Sequence, residues 1–299
     1  MNAVAASRFL KPDLLARLGS LELVARTVVD GVLTGLHKSP DFGFSQEFAE
    51  YRSYNEGDDL RFVDWNVYAR TDRMYIKRFQ GETNTSVTLL LDVSASMGFG
   101  DPVSKHEQAR FLVAALAYLT RRQHDALGVI LFDDIIREYT PPSARPDSLP
   151  KVLGLLEGSH VGTSTDVVDV LSDLQATITK RGLLVLVSDL YTEPDRLLSS
   201  LQSLVHAGHD VAIFHVLDDQ ELAPDVKKIS ALKSLESGNS VIVDPEYLRT
   251  DYQTRIQDHC EQIKHNSAKA GADYVRLTTS ESLDGAIVSY LQFRERRSR

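Results

Sequence analysis

From residue 86 onward the chain alternates between short apolar runs and longer segments in which apolar residues recur every three or four positions. The runs 86–92, 126–132, 183–188, 211–217, 240–243 and 273–277 are rich in Val, Leu and Ile and flanked by turn formers, the pattern of buried strands. Segments 104–122, 165–180, 194–207, 245–270 and 281–294 carry the helical period between them. Ser104 with Glu107 three residues on reads as a capping box opening the first of these helices. Strands alternating with helices predict a Rossmann-like, doubly wound α/β fold, its sheet mostly parallel and covered on both faces. The segment 134–140 follows the run 126–132 closely enough to fold back on it as one antiparallel edge strand.

The first part of the chain has a different pattern. Leu14, Leu15, Leu18, Leu21 and Val24 lie at helical spacing within 11–36. His37-Lys38-Ser39-Pro40 and Gly43 break that helix, and the aromatics Phe48, Tyr51 and Tyr54 lead into a turn at Asn55-Glu56-Gly57-Asp58. Met74-Tyr75-Ile76-Lys77-Arg78-Phe79 reads as another short strand. The expected organisation is a helix-plus-strand module over 1–84 and an α/β domain over 85–299. At 299 residues, this is near the upper size of one hydrophobic core.

Charge and composition narrow the function classes. The net charge of −9 argues against general binding to nucleic acid or to an anionic membrane. The single cysteine, Cys260, excludes an intrachain disulfide and a cysteine-rich zinc site. No stretch approaches the ~20 apolar residues of a membrane helix, and Met1 to Leu18 lacks the apolar core of a signal peptide. A cytosolic protein is the expectation, and the sequon Asn84-Thr85-Ser86 is then a chance match.

The chemistry concentrates at the end of the run 86–92, where Asp92-Val93-Ser94-Ala95-Ser96 follows the apolar residues. Open α/β sheets bind ligands at the C-terminal ends of their strands. One carboxylate and two alternate hydroxyls are hard oxygen donors of the kind Mg²⁺ takes, with waters completing its octahedron. Two other loops end on the same predicted edge: Ser188-Asp189 after the run 183–188, and Gly162-Thr163-Ser164-Thr165-Asp166 before a helix. Two carboxylates ~4 Å apart repel by about 4 kcal/mol at an effective dielectric near 20, a penalty a divalent cation removes.

In that chain order Asp92-x-Ser94-x-Ser96, Thr165 and Asp189 resemble the metal-ion-dependent adhesion site of von Willebrand factor A-like domains, over roughly 85–295. The resemblance implies Ser94, Ser96 and Thr165 as ligands of Mg²⁺, or of Mn²⁺ in its place. Asp92 and Asp189 would then be charged anchors acting through water, and a partner's carboxylate would complete the shell. Thr163 competes for the threonine role. A second resemblance lies upstream. Glu47-Phe48-Ala49-Glu50-Tyr51-Arg52-Ser53-Tyr54, Gly57-Asp58-Asp59-Leu60-Arg61, Val63-Asp64-Trp65 and Ala69-Arg70 are similar to the hallmark of the bacterial "domain of unknown function 58" family. That family's second half is an A-like domain, and the resemblance implies partnership with MoxR-type AAA ATPases.

Plainer readings stand beside these. Asp92, Ser94 and Ser96 could simply cap a turn. Arg52, Arg61 and Arg70, with Asp58, Asp59 and Asp64, make either a hydrogen-bonded network within the module or a partner surface; Trp65 reads as core. Asp133-Asp134 and Asp218-Asp219 read as turn formers. His259 and His265 fall on different faces of one helix, so with Cys260 they read as part of a solvated helix rather than a metal site. The basic C-terminus, Arg294 to Arg299, reads as a solvated tail. The expected function is a non-enzymatic, metal-gated interaction module. The alternative is Mg²⁺-dependent phosphoryl transfer with Asp92 as nucleophile, but a phosphatase of that type needs a second carboxylate where this chain has Ser94. No Walker A motif or Gly-x-Ser-x-Gly elbow is present.

Overall fold

The computed structural model describes residues 11–36, 48–53, 67, 68, 70, 74–79, 85–162, 167–178, 180–224, 231–233, 240–242 and 251–297. In chain order its elements are α1 (Pro12–Leu15), α2 (Leu21–Leu36), β1 (Phe48–Ser53), β2 (Tyr75–Phe79), β3 (Ser86–Asp92), a 3-10 turn (Ala95–Gly98), α3 (Lys105–Arg122), β4 (Ala126–Phe132), β5 (Ile136–Ser143) and α4 (Ser148–Glu157). There follow α5 (Val167–Thr177), β6 (Leu183–Ser188), α6 (Pro194–His206), β7 (Asp210–Leu217), α7 (Asp219–Leu222), β8 (Ala231–Lys233), β9 (Ser240–Ile242), α8 (Gln253–Ala270), β10 (Asp273–Thr278) and α9 (Asp284–Arg297).

The doubly wound sheet expected from the alternation is present. Six strands run in the order β10-β7-β6-β3-β4-β5. All neighbours are parallel except β5, which folds back antiparallel on β4 as the edge strand. The chain builds outward from β3 through β4 to β5, then returns to the other side of β3 and builds outward through β6, β7 and β10. Strand order therefore reverses between β3 and β6. The crevice at the C-terminal ends of these two strands is where such folds bind ligands.

Alternation along the strands divides the core. Val87, Leu89 and Leu91 of β3, with their counterparts on β4, β6 and β7, face α2, α3, α4 and α9. Leu90, Ile130, Leu184, Leu186 and Ile213 face α5, α6 and α8. Helix α3 is the central strut of the first layer. Ser104 Oγ accepts from the Glu107 amide at its start, and residues Phe111 to Ala117 are all buried. It is enclosed because α2 lies across it, placing Val24, Ala25, Val28, Val29 and Val32 in the same core. The Glu157 carboxylate receives the Leu21 amide at the N-terminus of α2, where the helix dipole favours an anion. The 11–36 helix is therefore two pieces, split at 16–20, and the second is part of the α/β core.

Two further differences have physical causes. The run 240–243 does not enter the main sheet: its three strand residues, Ser240–Ile242, pair antiparallel with β8 in a separate ribbon. β10 pairs directly with β7, which leaves no place for a strand between them. Helix α4, interrupted in sequence by Pro150 and Gly154, was not signalled by its pattern. In the N-terminal part β1 and β2 pair antiparallel, with Arg52 level with Ile76. Arg70 is exposed, and Arg61 and Trp65 lie outside the described residues. Among the described residues no helix is long and apolar enough to cross a membrane.

Truncating a fully buried side chain of α2 should destabilise the whole α/β domain. Val28→Ala is expected to cost about 2 kcal/mol in urea denaturation with a single transition. Leu23→Ala, on the exposed face of the same helix, should cost little.

Candidate metal centre at the sheet's switch point

Asp92 is the last residue of β3 and is completely buried. The parallel register pairs Leu91 with Val187, so the next residues, Asp92 and Ser188, come level at the crevice. Asp92 Oδ2 accepts from Ser188 Oγ at 2.6 Å, and Asp92 Oδ1 accepts from the Ser94 amide at 2.9 Å. The second bond is an Asx turn, which lifts the chain off the strand into the 3-10 turn. Ser94 then occupies the cap position of that turn without using its hydroxyl as a cap. Its Oγ lies 3.0 Å from Ser96 Oγ instead. The capping reading thus accounts for Asp92 but not for the two serines.

The opposite wall is built by the loop after β6. Ser188 Oγ accepts from the Leu190 amide at 3.0 Å. Leu190 has φ +50°, a left-handed conformation uncommon outside glycine. It is held there by that bond, by a 3.0 Å bond between His259 Nε2 and its carbonyl, and by its fully buried side chain. The Asp189 carbonyl is fixed by His215 Nε2 at 2.8 Å, while Tyr274 lies 2.9 Å from His215 Nδ1. A carbonyl can only accept, so His215 donates from Nε2 and accepts the tyrosine proton at Nδ1. That is the neutral imidazole, and burial lowers the His215 pKa to about 4.

The Asp189 carboxylate has a strong partner. Lys105, the first residue of α3, is fully buried; its Nζ lies 2.7 Å from Asp189 Oδ2 and 2.6 Å from Glu221 Oε1. Phe99 and Tyr191 cover it, with ring centroids 6.0 and 5.0 Å from Nζ. Glu221 also closes a capping box with Asp218, whose own carboxylate takes the Thr279 hydroxyl. Burial lowers the Lys105 pKa, but Asp189 and Glu221 outweigh it, so the ammonium is held more firmly than in water. Among the described residues Asp92 has no such partner. Burial and the neighbouring Asp189 charge push it up to about 7, against its hydrogen bonds to Ser188 and Ser94.

Adjacent ligands of an octahedral Mg²⁺ at 2.0–2.1 Å are about 3 Å apart, and the Ser94 and Ser96 hydroxyls have that separation. Beside them stands a buried carboxylate without a cationic partner among the described residues. These donors fit a hard divalent ion. The fit depends on hydroxyls: among the described residues no group of three or more His, Cys, Asp and Glu side chains is arranged to hold a metal. Thr163 and Thr165 lie outside the described residues. Gly162, just before them, donates its amide to the Val93 carbonyl, so their loop begins against the serine turn. A Cβ at that point would lie 2.4 Å from Asp133 Oδ2, so any larger residue would displace the Asp133 carboxylate from its place beside Arg137.

A family described as "Protein of unknown function DUF58" matches residues 50–262. The chain belongs to that family. An uncharacterized protein of Mycobacterium tuberculosis, Rv1480, is 27% identical over 292 residues, covering 95% of this chain and 91% of the relative. Two solved structures are similar to parts of this DUF58 chain. BatB of Bacteroides thetaiotaomicron has a TM-score of 0.48 at 16% identity, covering 71% of this chain and 99% of that one. The SpRpn10 VWA domain has a TM-score of 0.39 at 12% identity, covering 68% of this chain and 94% of that one. Neither likeness assigns a role to a residue of the DUF58 chain.

Other acids at strand ends act as turn formers. Asp133 accepts from the Ile135 amide and pairs with Arg137 at 2.7 Å, and Asp218 caps α7. His259 differs from expectation: it is partly buried against the Leu190 carbonyl and stacks on Tyr191. Lys105, Ser188 and Glu221 were not anticipated. Lys105 carries a signal in its position, since a cation in the first turn of a helix opposes the dipole.

The raised Asp92 pKa makes one contribution to the pH dependence of the metal-free protein. The folded state keeps a proton on Asp92 between the unfolded value of 3.8 and about 7, so the contribution of Asp92 to stability falls as pH rises through that window. In EDTA at pH 8, Asp92→Asn should therefore raise the thermal midpoint, by a gain on the order of 2–4 kcal/mol. The difference should shrink toward zero near pH 4, as followed by circular dichroism.

Proposed function

We propose that this protein is a non-enzymatic, metal-dependent interaction module that takes a partner's carboxylate at the switch point between β3 and β6. The observation that carries this reading is the paired Ser94 and Ser96 hydroxyls, 3.0 Å apart and free of capping duty, beside the buried Asp92 carboxylate. Ser94, Ser96 and Thr165 would hold Mg²⁺ (Mn²⁺ being the alternative ion), with Asp92 and Asp189 as anchors. The bound ion supplies an electrophilic charge to which an Asp or Glu of the partner binds.

The surroundings suit a protein partner. Phe99, Val161, Tyr191 and Ile135 are exposed large apolar side chains on the loops at this edge. Val161 lies against Gly98 of the serine turn, and Phe99 and Tyr191 flank Lys105. A carboxylate flanked by apolar residues would meet both the ion and this rim, since apolar patches with a polar centre are typical of interaction sites. The partner we favour is a MoxR-type AAA ATPase or its client, in the cytosol, where the single free Cys260 would stay reduced. Arg52, Arg61 and Arg70 would contribute a second contact, and Arg70 is exposed for it.

Two measurements test the reading. Mg²⁺ should raise the thermal midpoint of the wild type, and the Ser94→Ala/Ser96→Ala variant should lose that shift. Affinity capture with the wild type in Mg²⁺ should retain an AAA ATPase that EDTA or Asp92→Ala releases. Retention in EDTA and by the variant would move the interface away from this edge.

A further inference from the structure

Lys105 is the least expected residue of this edge. A lysine side chain is rarely buried completely, and the first turn of a helix repels a cation. Here the ammonium is out of water, gripped by Asp189 at 2.7 Å and Glu221 at 2.6 Å and shielded by the rings of Phe99 and Tyr191. One of those two carboxylates belongs to the candidate metal centre. The other comes from α7, beyond the end of β7, and does not.

We infer that Lys105 is a built-in counter-cation that competes with the metal for Asp189 and so keeps the centre's affinity for a divalent ion low until a partner supplies another carboxylate. The inference rests on the metal-dependent reading of the same site and deepens it. Two buried or nearly buried carboxylates, Asp189 and Glu221, share one permanent positive charge, and the Asp92 carboxylate feels Asp189 beside it. An arriving divalent ion meets an Asp189 already neutralised and an ammonium that repels it. Glu221 moderates this effect by sharing the ammonium with Asp189. A partner carboxylate restores the missing negative charge. Ion and partner then strengthen each other's binding by the same factor, as linkage requires. The centre would in that case be selective for a loaded partner rather than permanently metallated.

The two carboxylates on Lys105 make the test two-sided. Removing the ammonium in Lys105→Met should tighten Mg²⁺ binding by the full chain, without any partner, by roughly tenfold or more. Removing the second carboxylate in Glu221→Gln leaves Lys105 to Asp189 alone and should weaken Mg²⁺ binding. Lys105→Arg, which keeps the charge, should stay near the wild type. Affinity is read by calorimetric titration with MgCl₂, and each apo variant's circular dichroism reports whether it folds.

Equal or weaker Mg²⁺ binding by Lys105→Met, or tighter binding by Glu221→Gln, overturns the inference while leaving the metal-dependent reading intact. If neither the wild type nor Lys105→Met binds Mg²⁺, both fall together. If Lys105→Met does not fold without metal, the direction of the Glu221→Gln effect decides.

Discussion

Two carboxylates, Asp92 and Asp189, lie out of water side by side where the sheet reverses its strand order, and the polar architecture of this edge answers to them. Burying like charges together is unfavourable, and each is compensated differently. Asp92 receives two short hydrogen bonds and is still pushed toward its neutral form. Asp189 receives a buried ammonium, which recruits Glu221, which in turn closes the capping box with Asp218. The chain of contacts runs from β3 through α3 and β6 to the loop after β7. A perturbation at any member would reach the others, because a half-satisfied buried network costs more than its absence.

The rigid parts of the fold explain how such a costly cluster is held. Parallel pairing of β3 with β6 sets Asp92 beside Ser188 without help from side chains. The neutral His215, locked between Asp189 and Tyr274, prevents the β6 loop from turning its carboxylate away. Helix α3 delivers Lys105 because its whole length is enclosed, on one side by the sheet and on the other by α2. Removing the packing of α2 would therefore loosen the far end of α3 as well as the core. The N-terminal helix and the candidate site thus share α3, although they are distant in sequence.

The pattern of apolar residues made the sheet, its antiparallel edge and most helices legible, since periods of two and 3.6 follow directly from strand and helix geometry. It also placed Asp92 and Asp189 at strand ends. It failed for Ser240–Ile242, whose two apolar residues, Val241 and Ile242, suffice for a ribbon but do not say with which strand they pair. It failed for Ser188 and Lys105 for a related reason. Ser188 matters only because interstrand register sets it against Asp92, and Lys105 only because α3 begins where β6 ends. Such relations lie between elements, and single-element periodicity does not contain them.

The bonds of Asp92 also separate recognition from catalysis. A carboxylate nucleophile must present an oxygen to its substrate. Asp92 has no exposed surface, and both of its oxygens already accept hydrogen bonds fixed by the backbone turn and by β6. Two residues on, where phosphoryl transfer of this kind requires a second acid or base, Ser94 offers a hydroxyl paired with Ser96. The reactive-looking residue is fully buried, and the hydroxyls are turned to each other beside an apolar rim. An anchor for a cation needs only negative charge at short range, which burial strengthens. The same burial that would disable Asp92 as a nucleophile leaves it, on the metal-dependent reading proposed above, the role of a charge beneath a bound ion, which would hold the carboxylate ionised against the desolvation that raises its pKa.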